Sequence, residues 1–290
     1  MKQALYAELR DALCPALPSG ERRMVGMAEL SEVARSTQPA VPYDTLLSIY
    51  NQLHQAQVQA LDGAMKAGAR SWLREYEGGA SMAAIALREG FSPCNLARVL
   101  LKLLLELPEG KQGAKDVTAF LRRPSLLPCQ RLADGVAACV AADWQNSPRA
   151  EVIKRTVGLE YEYVLAERLR NAGLAFSTED SLRDEGKAVT PDVKLLVPIA
   201  LDGHVVHWID SKAMFGSEEV HAKYTAEQYQ RYVNRYGDGL VIYWFDFVDQ
   251  LNWAPAAAEH SGEGPEAEAT VAHRGVYCSR DFPQTFVLPT

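Results

Sequence analysis

Cysteine is scarce in this sequence, with five in 290 residues. Cys14, Cys94, Cys129, Cys139 and Cys278 are widely scattered, with no CxxC pair and no zinc-ligand spacing. That pattern excludes a disulfide framework and a zinc knuckle, and it fits reduced thiols in an intracellular protein. Long hydrophobic runs are also missing. The longest, Val99 to Leu107 and Leu240 to Val248, are broken by Lys102 and Glu106 and by Asp246. Both fall short of the ~20 apolar residues of a membrane span. Charges recur every few positions in the opening stretch MKQALYAELRDALCPALPSGERRMV, so no signal peptide is expected. No P-loop, no dinucleotide-binding glycine fingerprint and no Ser/His/Asp arrangement stands out. An excess of positive charge is lacking as well: 30 Lys+Arg face 37 Asp+Glu, for a net charge of −7. A broadly basic nucleic-acid coat is therefore excluded, because phosphate contacts come from Lys and Arg.

What is present is a chain of ordinary globular character, 48% hydrophobic. Its length suits about two domains of roughly 100–200 residues each. Residues 1–150 hold 17 basic and 15 acidic side chains, whereas residues 151–290 hold 13 and 22. The acidic half could be a solvated surface, or it could hold metal-binding carboxylates.

The first half reads as helices. Tyr43 to Lys66 places Leu46, Leu47, Tyr50, Leu53, Val58 and Leu61 at three- and four-residue steps, which makes one amphipathic face. Met82 to Leu101 fits a helix-turn-helix template, with Ala86 four residues before Gly90 and Ile85, Phe91, Leu96 and Val99 at apolar positions. Its second helix, about Ser92 to Leu104, would carry Arg98 and Lys102 four residues apart, within reach of phosphates or base edges. A plain helical hairpin fits the same residues equally well.

After residue 150 the pattern changes. A helix is expected over Thr156 to Asn171, closed by Gly173, and a short strand over Leu174 to Thr178. A charged loop or helical turn follows from Glu179 to Lys187. Val193 to Ala200 and His204 to Ser211 flank Leu201-Asp202-Gly203, a strong hairpin signal. Tyr224 to Tyr236 reads as a helix, Leu240 to Phe247 as a buried strand, and Val271 to Phe286 as a possible last strand. Residues 256–270, small and acidic, read as a flexible loop. The expected division is a helical domain over 1–149 and an α+β domain over 150–290.

Chemistry gathers at the hairpin. Thr190-Pro191-Asp192 precedes its first strand and Asp210-Ser211-Lys212 ends its second. A three-residue loop with Gly203 left-handed would pair Ala200 with His204 and Asp192 with Lys212. Asp192, Asp210 and Lys212 would then share one face. A two-residue loop would turn Asp192 away. Two converging carboxylates repel unless a cation lies between them, and a hard ion such as Mg²⁺ takes oxygen ligands. An ordinary surface ion pair is the plain alternative. His204 and His207 have opposite strand parity and are expected to act separately. His221 lies near the acids and is a candidate phosphate contact. Trp208, Tyr243 and Trp244 are expected in the core.

Pro191-Asp192 followed by Asp210-Ser211-Lys212 in an αβββαβ order resembles the PD-(D/E)xK nuclease superfamily. The wider set, Gly158-Leu-Glu-Tyr-Glu162, Thr190-Pro-Asp192, HWIDSKAMFG (207–216) and YVNRYGDGLVIYW (232–244), resembles the TPD-motif family over residues 150–250. The resemblance implies an α+β chain: an N-terminal all-α domain with helix-turn-helix character, then a restriction-endonuclease-like domain. It implies Mg²⁺- or Mn²⁺-dependent hydrolysis of phosphodiester bonds, in DNA rather than RNA. Asp192, Asp210 and Glu162 would be metal ligands, with Glu160 the second choice for the helical acid, and Lys212 the catalytic lysine. Gln228 and Tyr232 match a QxxxY element, Gln228 orienting the site and Tyr232 a candidate nucleic-acid contact beside Arg98 and Lys102. Position 210 is Asp where the family tends to carry Glu. A nuclear and cytoplasmic location, a codanin-like protein partner and a homodimer are further implications. The rival reading from the same resemblance is a catalytically weak or inactive scaffold on a nuclease fold that binds such a partner.

Overall fold

The computed structural model describes residues 1–16, 24–37, 40–251 and 275–289. The 256–270 stretch lies outside the described residues. Eleven α-helices and five strands are described: α1 (Gln3–Leu13), α2 (Met27–Ser36), α3 (Tyr43–Glu77), α4 (Met82–Glu89), α5 (Pro93–Leu104), α6 (Lys111–Arg122), α7 (Gln130–Ala142), α8 (Pro148–Asn171), β1 (Phe176–Thr178), α9 (Glu179–Asp184), β2 (Val193–Leu201), β3 (His204–Lys212), α10 (Glu218–Tyr224), α11 (Gln230–Tyr236), β4 (Gly239–Tyr243) and β5 (Val276–Ser279). Among the described residues, no helix is long and apolar enough to cross a membrane.

The chain forms two compact units, residues 51–156 and residues 1–50 with 157–290. The first fifty residues thus group with the sheet rather than with the helices that follow them. Their contacts explain why. Tyr6 stacks on Phe215 with ring centroids 5.2 Å apart, the Phe215 amide donates to Ser48 Oγ at 2.8 Å, and the Asp249 amide donates to the Met1 carbonyl at 2.9 Å.

In the helical unit α4 ends at Gly90, whose φ of +72° suits the left-handed cap that glycine adopts freely. Ser92 then caps α5, accepting from the Asn95 amide at 3.2 Å, with Pro93 opening the helix. The two helices and the short turn between them span the stretch that the template covers. However, α5 is the central rod of this unit. Cys94, Leu96, Ala97, Leu100 and Leu101 are buried among Met82, Ile85, Val117, Leu121, Leu132 and Val136. Each such aliphatic side chain is stabilised by about 1.5–3 kcal/mol on leaving water.

The sheet unit holds one mixed sheet in the order β1-β2-β3-β4-β5. β1, β2 and β3 are antiparallel neighbours, and β4 and β5 join in parallel. One face packs Val193, Leu195, Ile199, Val206, Ile209, Leu240 and Ile242 with Leu165 and Leu169 of α8. The opposite face carries Trp208, which is fully buried and lies against Tyr229 and Tyr232 at 6.0 and 5.2 Å. Its indole N–H donates to the Gly237 carbonyl at 2.8 Å. A Cβ on Gly239 would stand 2.0 Å from Trp208 Cε2, so only glycine lets β4 start under that ring.

Four sequence expectations change. The hairpin loop has two residues, not three: Leu201 pairs with His204, and Asp202 and Gly203 both have positive φ, +47° and +88°. That is the demand of the tightest hairpin turn, which Asp-Gly meets. The helix expected over 224–236 begins earlier, at Glu218, and passes through a π-helical turn at Thr225–Tyr229 before α11. The strand expected over 240–247 stops at Tyr243, because the chain turns there and Asp246 takes φ +70°. The charged stretch after residue 178 contains α9, and the last expected strand shortens to β5.

Candidate active site

With a two-residue loop alone, Asp192 would point away from Asp210. A bulge restores the alignment. Pairing runs Leu201–His204, Ala200–Val205 and Ile199–Val206, then resumes at Lys194–Trp208 and Val193–Ile209, with the register shifted between Lys194 and Ile199. β2 therefore spends four residues, 195 to 198, where β3 spends one, His207. Pro198 lies in this bulge, where its missing N–H removes a ladder donor. The net offset is odd and cancels the parity of the loop. Continuing one step past Val193–Ile209 brings Asp192 beside Asp210, with Lys212 on the same face of β3.

The three groups interact directly. Lys212 Nζ forms an ion pair with an Asp210 carboxylate that is only 1% exposed. The Asp192 carboxylate accepts the Ser211 amide at 2.7 Å, and the residue as a whole is half-buried. Burial, then the Asp210 charge, push the Asp192 carboxyl well above the usual carboxylate range, against the pull of Lys212. Burial acts against the Lys212 ammonium, but Asp210 and Asp192 together hold its pKa above the ordinary lysine value. Lys212 is therefore a cation at neutral pH. Its ammonium also lies 4.9 Å from the Tyr224 ring centroid and 5.9 Å from that of Tyr229, a cation–π setting worth about 0.5–2 kcal/mol.

Glu162 belongs to the same electrostatic neighbourhood. Desolvation, then the charges of Glu179 and Asp210, raise its pKa. Glu160, the second choice, is exposed. Among the described residues, no three His, Cys, Asp or Glu side chains converge closely enough to hold a metal ion as they stand. The donor chemistry of Asp192 and Asp210 nevertheless fits a hard divalent cation. Two carboxylates converge, and a single ammonium offsets their repulsion only in part.

Glu179 is the acid that the sequence reading missed. It opens α9, its Oε1 accepts the Thr190 hydroxyl at 3.1 Å, and its amide donates to the Asp192 carbonyl at 3.1 Å. From the other side, Tyr232 donates its hydroxyl to the Thr190 carbonyl at 3.2 Å and Tyr236 donates to Val189 at 2.6 Å. Tyr232 is thus buried and committed to the loop, which leaves it no open ring face for a nucleotide. A carboxylate at the start of a six-residue helix gives no periodic signal; only its place eleven residues before Thr190 hints at the role.

The remaining candidates are less convergent. Gln228 lies half-buried on the π-turn, and among the described residues no hydrogen bond joins it to the acids. His221 is fully buried, with Nδ1 3.0 Å from the Tyr243 hydroxyl and 3.9 Å from Cys278 Sγ; it faces the core, not a phosphate. His204 packs against Tyr277 and His207 lies at the Asp238 carbonyl, so the two act apart. Trp208 and Tyr243 are core residues as expected, and Trp244 is half-buried, donating to Ser211 Oγ at 2.8 Å. In the helical unit, Arg98 reaches the Asn146 carbonyl and Glu151, both at 3.5 Å, and Lys102 faces Glu109 at 3.8 Å. Both cations are engaged locally, and the helix that carries them is largely buried.

A family model described as a protein of unknown function with the TPD sequence motif matches residues 128–260. The chain is 35% identical over 260 residues to the CDAN1-interacting nuclease 1 of Xenopus laevis, covering 86% of this chain and 80% of that protein. It is 45% identical over 163 residues to the Xenopus tropicalis protein of the same name, covering 56% and 54%. With the Homo sapiens protein the identity is 35% over 233 residues, covering 74% and 80%. No solved structure matches the chain.

Proposed function

The chain belongs to the TPD-motif family together with the CDAN1-interacting nuclease 1 proteins, and we propose that it is a metal-dependent nuclease of the PD-(D/E)xK type acting on DNA. The observation that carries this reading is the convergence of Asp192, Asp210 and Lys212 at one end of the sheet, restored by a bulge against the parity of the turn. Nothing in the packing of a hydrophobic core calls for two carboxylates and a cation there. The αβββαβ order around them supports the superfamily assignment.

Asp192 and Asp210 would hold a Mg²⁺ or Mn²⁺ ion, with Glu162 at the margin. That ion would supply Lewis-acid polarisation of the scissile phosphodiester. Lys212, paired with Asp210, would stabilise negative charge on the phosphoryl oxygens. Its placement between the Tyr224 and Tyr229 rings and Asp210 restricts the ammonium to one side of the sheet end. Glu162, whose pKa is raised by desolvation and by Glu179 and Asp210, is suited to orient a water or accept its proton.

The test is cleavage of end-labelled single-stranded, duplex, forked and junction DNA and of RNA, each with Mg²⁺, Mn²⁺ or chelator. Asp192→Asn and Lys212→Ala are run beside the parent. Metal-dependent cutting absent from both variants is expected, and full activity in both would sink the assignment. The relatives' name also supports a codanin-like partner for this chain. Partner binding that is independent of metal, with no cleavage of any substrate, would favour a scaffold role instead.

A further inference from the structure

The loop that delivers Asp192 is held at four points by groups that would not touch a substrate. Thr190 is gripped twice: its hydroxyl donates to Glu179 Oε1 at 3.1 Å, and its carbonyl accepts from Tyr232 at 3.2 Å. Tyr236, one helical turn beyond Tyr232, donates to the carbonyl of Val189 at 2.6 Å. The fourth point is the carbonyl of Asp192 itself, which accepts the Glu179 amide at 3.1 Å. Glu179 therefore binds the loop on both sides of Pro191, through its side chain before the proline and its backbone after it.

The proline matters to this arrangement. Pro191 has no N–H and a fixed φ, so the segment cannot be anchored by an ordinary strand ladder at that residue. Its neighbours must be secured by other means. The Thr190 hydroxyl does this on the near side of the proline, reaching the Glu179 carboxylate at 3.1 Å. An Arg183 guanidinium donates to the same Glu179 oxygen and orients that carboxylate.

We propose that Thr190, Glu179 and Tyr236 are positioning residues that fix the Asp192 carboxylate beside Asp210, with Glu179 acting through the Thr190 hydroxyl and the Asp192 backbone. The proposal rests on the nuclease reading for its catalytic consequence, but the coupling itself does not. A reacting group displaced by ~1 Å loses about 100-fold in rate. Loss of one staple from a loop held by several should cost part of that.

The test has two arms. In the first, Thr190→Val and Glu179→Ala should each lower kcat by about tenfold with KM changed less than twofold, and Thr190→Ser should recover parent activity. The double variant Thr190→Val/Glu179→Ala should be no worse than the poorer single, because both remove the same bond. Tyr236→Phe should lower kcat while keeping the ring in place. In the second arm, amide exchange is followed in metal-free protein. The Ser211 amide, bonded to the Asp192 carboxylate at 2.7 Å, should exchange about tenfold faster in Thr190→Val, with Val241 and Ile242 of the buried strand unchanged.

Parent-like exchange at Ser211 together with parent-like kcat in Thr190→Val would overturn the proposal. So would losses that multiply in the double variant. If the parent cleaves nothing, the nuclease reading falls, and the exchange arm still decides whether these residues hold Asp192. Should Thr190→Val fail to fold, Tyr236→Phe and Glu179→Ala carry the same two readouts.

Discussion

Replacing Asp192 by Asn tests whether the sheet end is a destabilised charge cluster waiting for a cation. Directly opposed strand residues have Cβ atoms about 5 Å apart. At an effective dielectric of about 20, two carboxylates at that distance repel by about 3 kcal/mol. The Lys212 ammonium, paired with Asp210, offsets part of this, leaving a net penalty of about 1–2 kcal/mol. Asn keeps an oxygen to accept the Ser211 amide and removes the charge. In chelator at pH 8, Asp192→Asn should therefore be more stable than the parent by that amount, or roughly 2–6 °C in melting temperature at this chain length.

The pH dependence follows from the direction of the shift. Asp192 has a higher pKa in the folded chain than the ~3.9 of an unfolded aspartate. Between those two values the native state binds more protons than the unfolded state, so the parent loses stability as pH rises through that window. At higher pH the penalty is complete and constant. The Asn variant should lack this slope. Mg²⁺ should reverse the ranking: at a hundred times its dissociation constant a bound ion stabilises the parent by about 2.7 kcal/mol, and the variant by much less. Thermal melts over pH 4–9, with and without Mg²⁺, decide the matter. A variant less stable than the parent at pH 8 in chelator, or one with an unchanged pH slope, would refute the reasoning.

Other perturbations probe separate features. Lys212→Met leaves the buried Asp210 carboxylate without its cation and should cost about 3–5 kcal/mol, most of it recovered in Lys212→Met/Asp210→Asn; denaturant melts read both. Gly239→Ala forces a methyl to within 2.0 Å of Trp208 Cε2 and should destabilise by about 1–3 kcal/mol or prevent folding, with indole fluorescence as the reporter. Arg98→Ala and Lys102→Ala should change nucleic-acid affinity less than twofold, since both side chains are already paired within the helical unit. A tenfold loss in filter binding would restore them as contacts.

The hairpin shows where sequence legibility ends. Its existence, its two carboxylates and its lysine are all readable from Asp202-Gly203 and the flanking apolar runs. The register is not. Asp-Gly supports either a two- or a three-residue loop, and the choice decides which way every side chain faces. The structure takes the two-residue loop and then reverses its consequence with a bulge at 195–198. Leu196 and Val197 are exposed there, at 58% and 47%, so an apolar run that reads as continuous strand contains residues that never enter the core. Pro198 was the visible clue, because a proline in the interior of a central strand must sit where the ladder is broken.

The same limit separates the site residues that could be read from those that could not. Asp192, Asp210 and Lys212 are close in the ladder, so strand periodicity and a motif place them together. Glu179 reaches them through a hydroxyl on a loop, and Tyr236 through a main-chain carbonyl. Neither contact has a period. Conversely, Tyr232 and His221 lie near the acids in sequence, yet the Tyr232 hydroxyl and His221 Nδ1 meet Thr190 and Tyr243. Proximity along the chain located the neighbourhood of the acids, but which atoms face them was set by hydrogen bonds that only the folded loop makes. Variants at Glu179 and Tyr236 therefore test more of the site's construction than variants at the motif residues, whose loss would be expected on any nuclease reading.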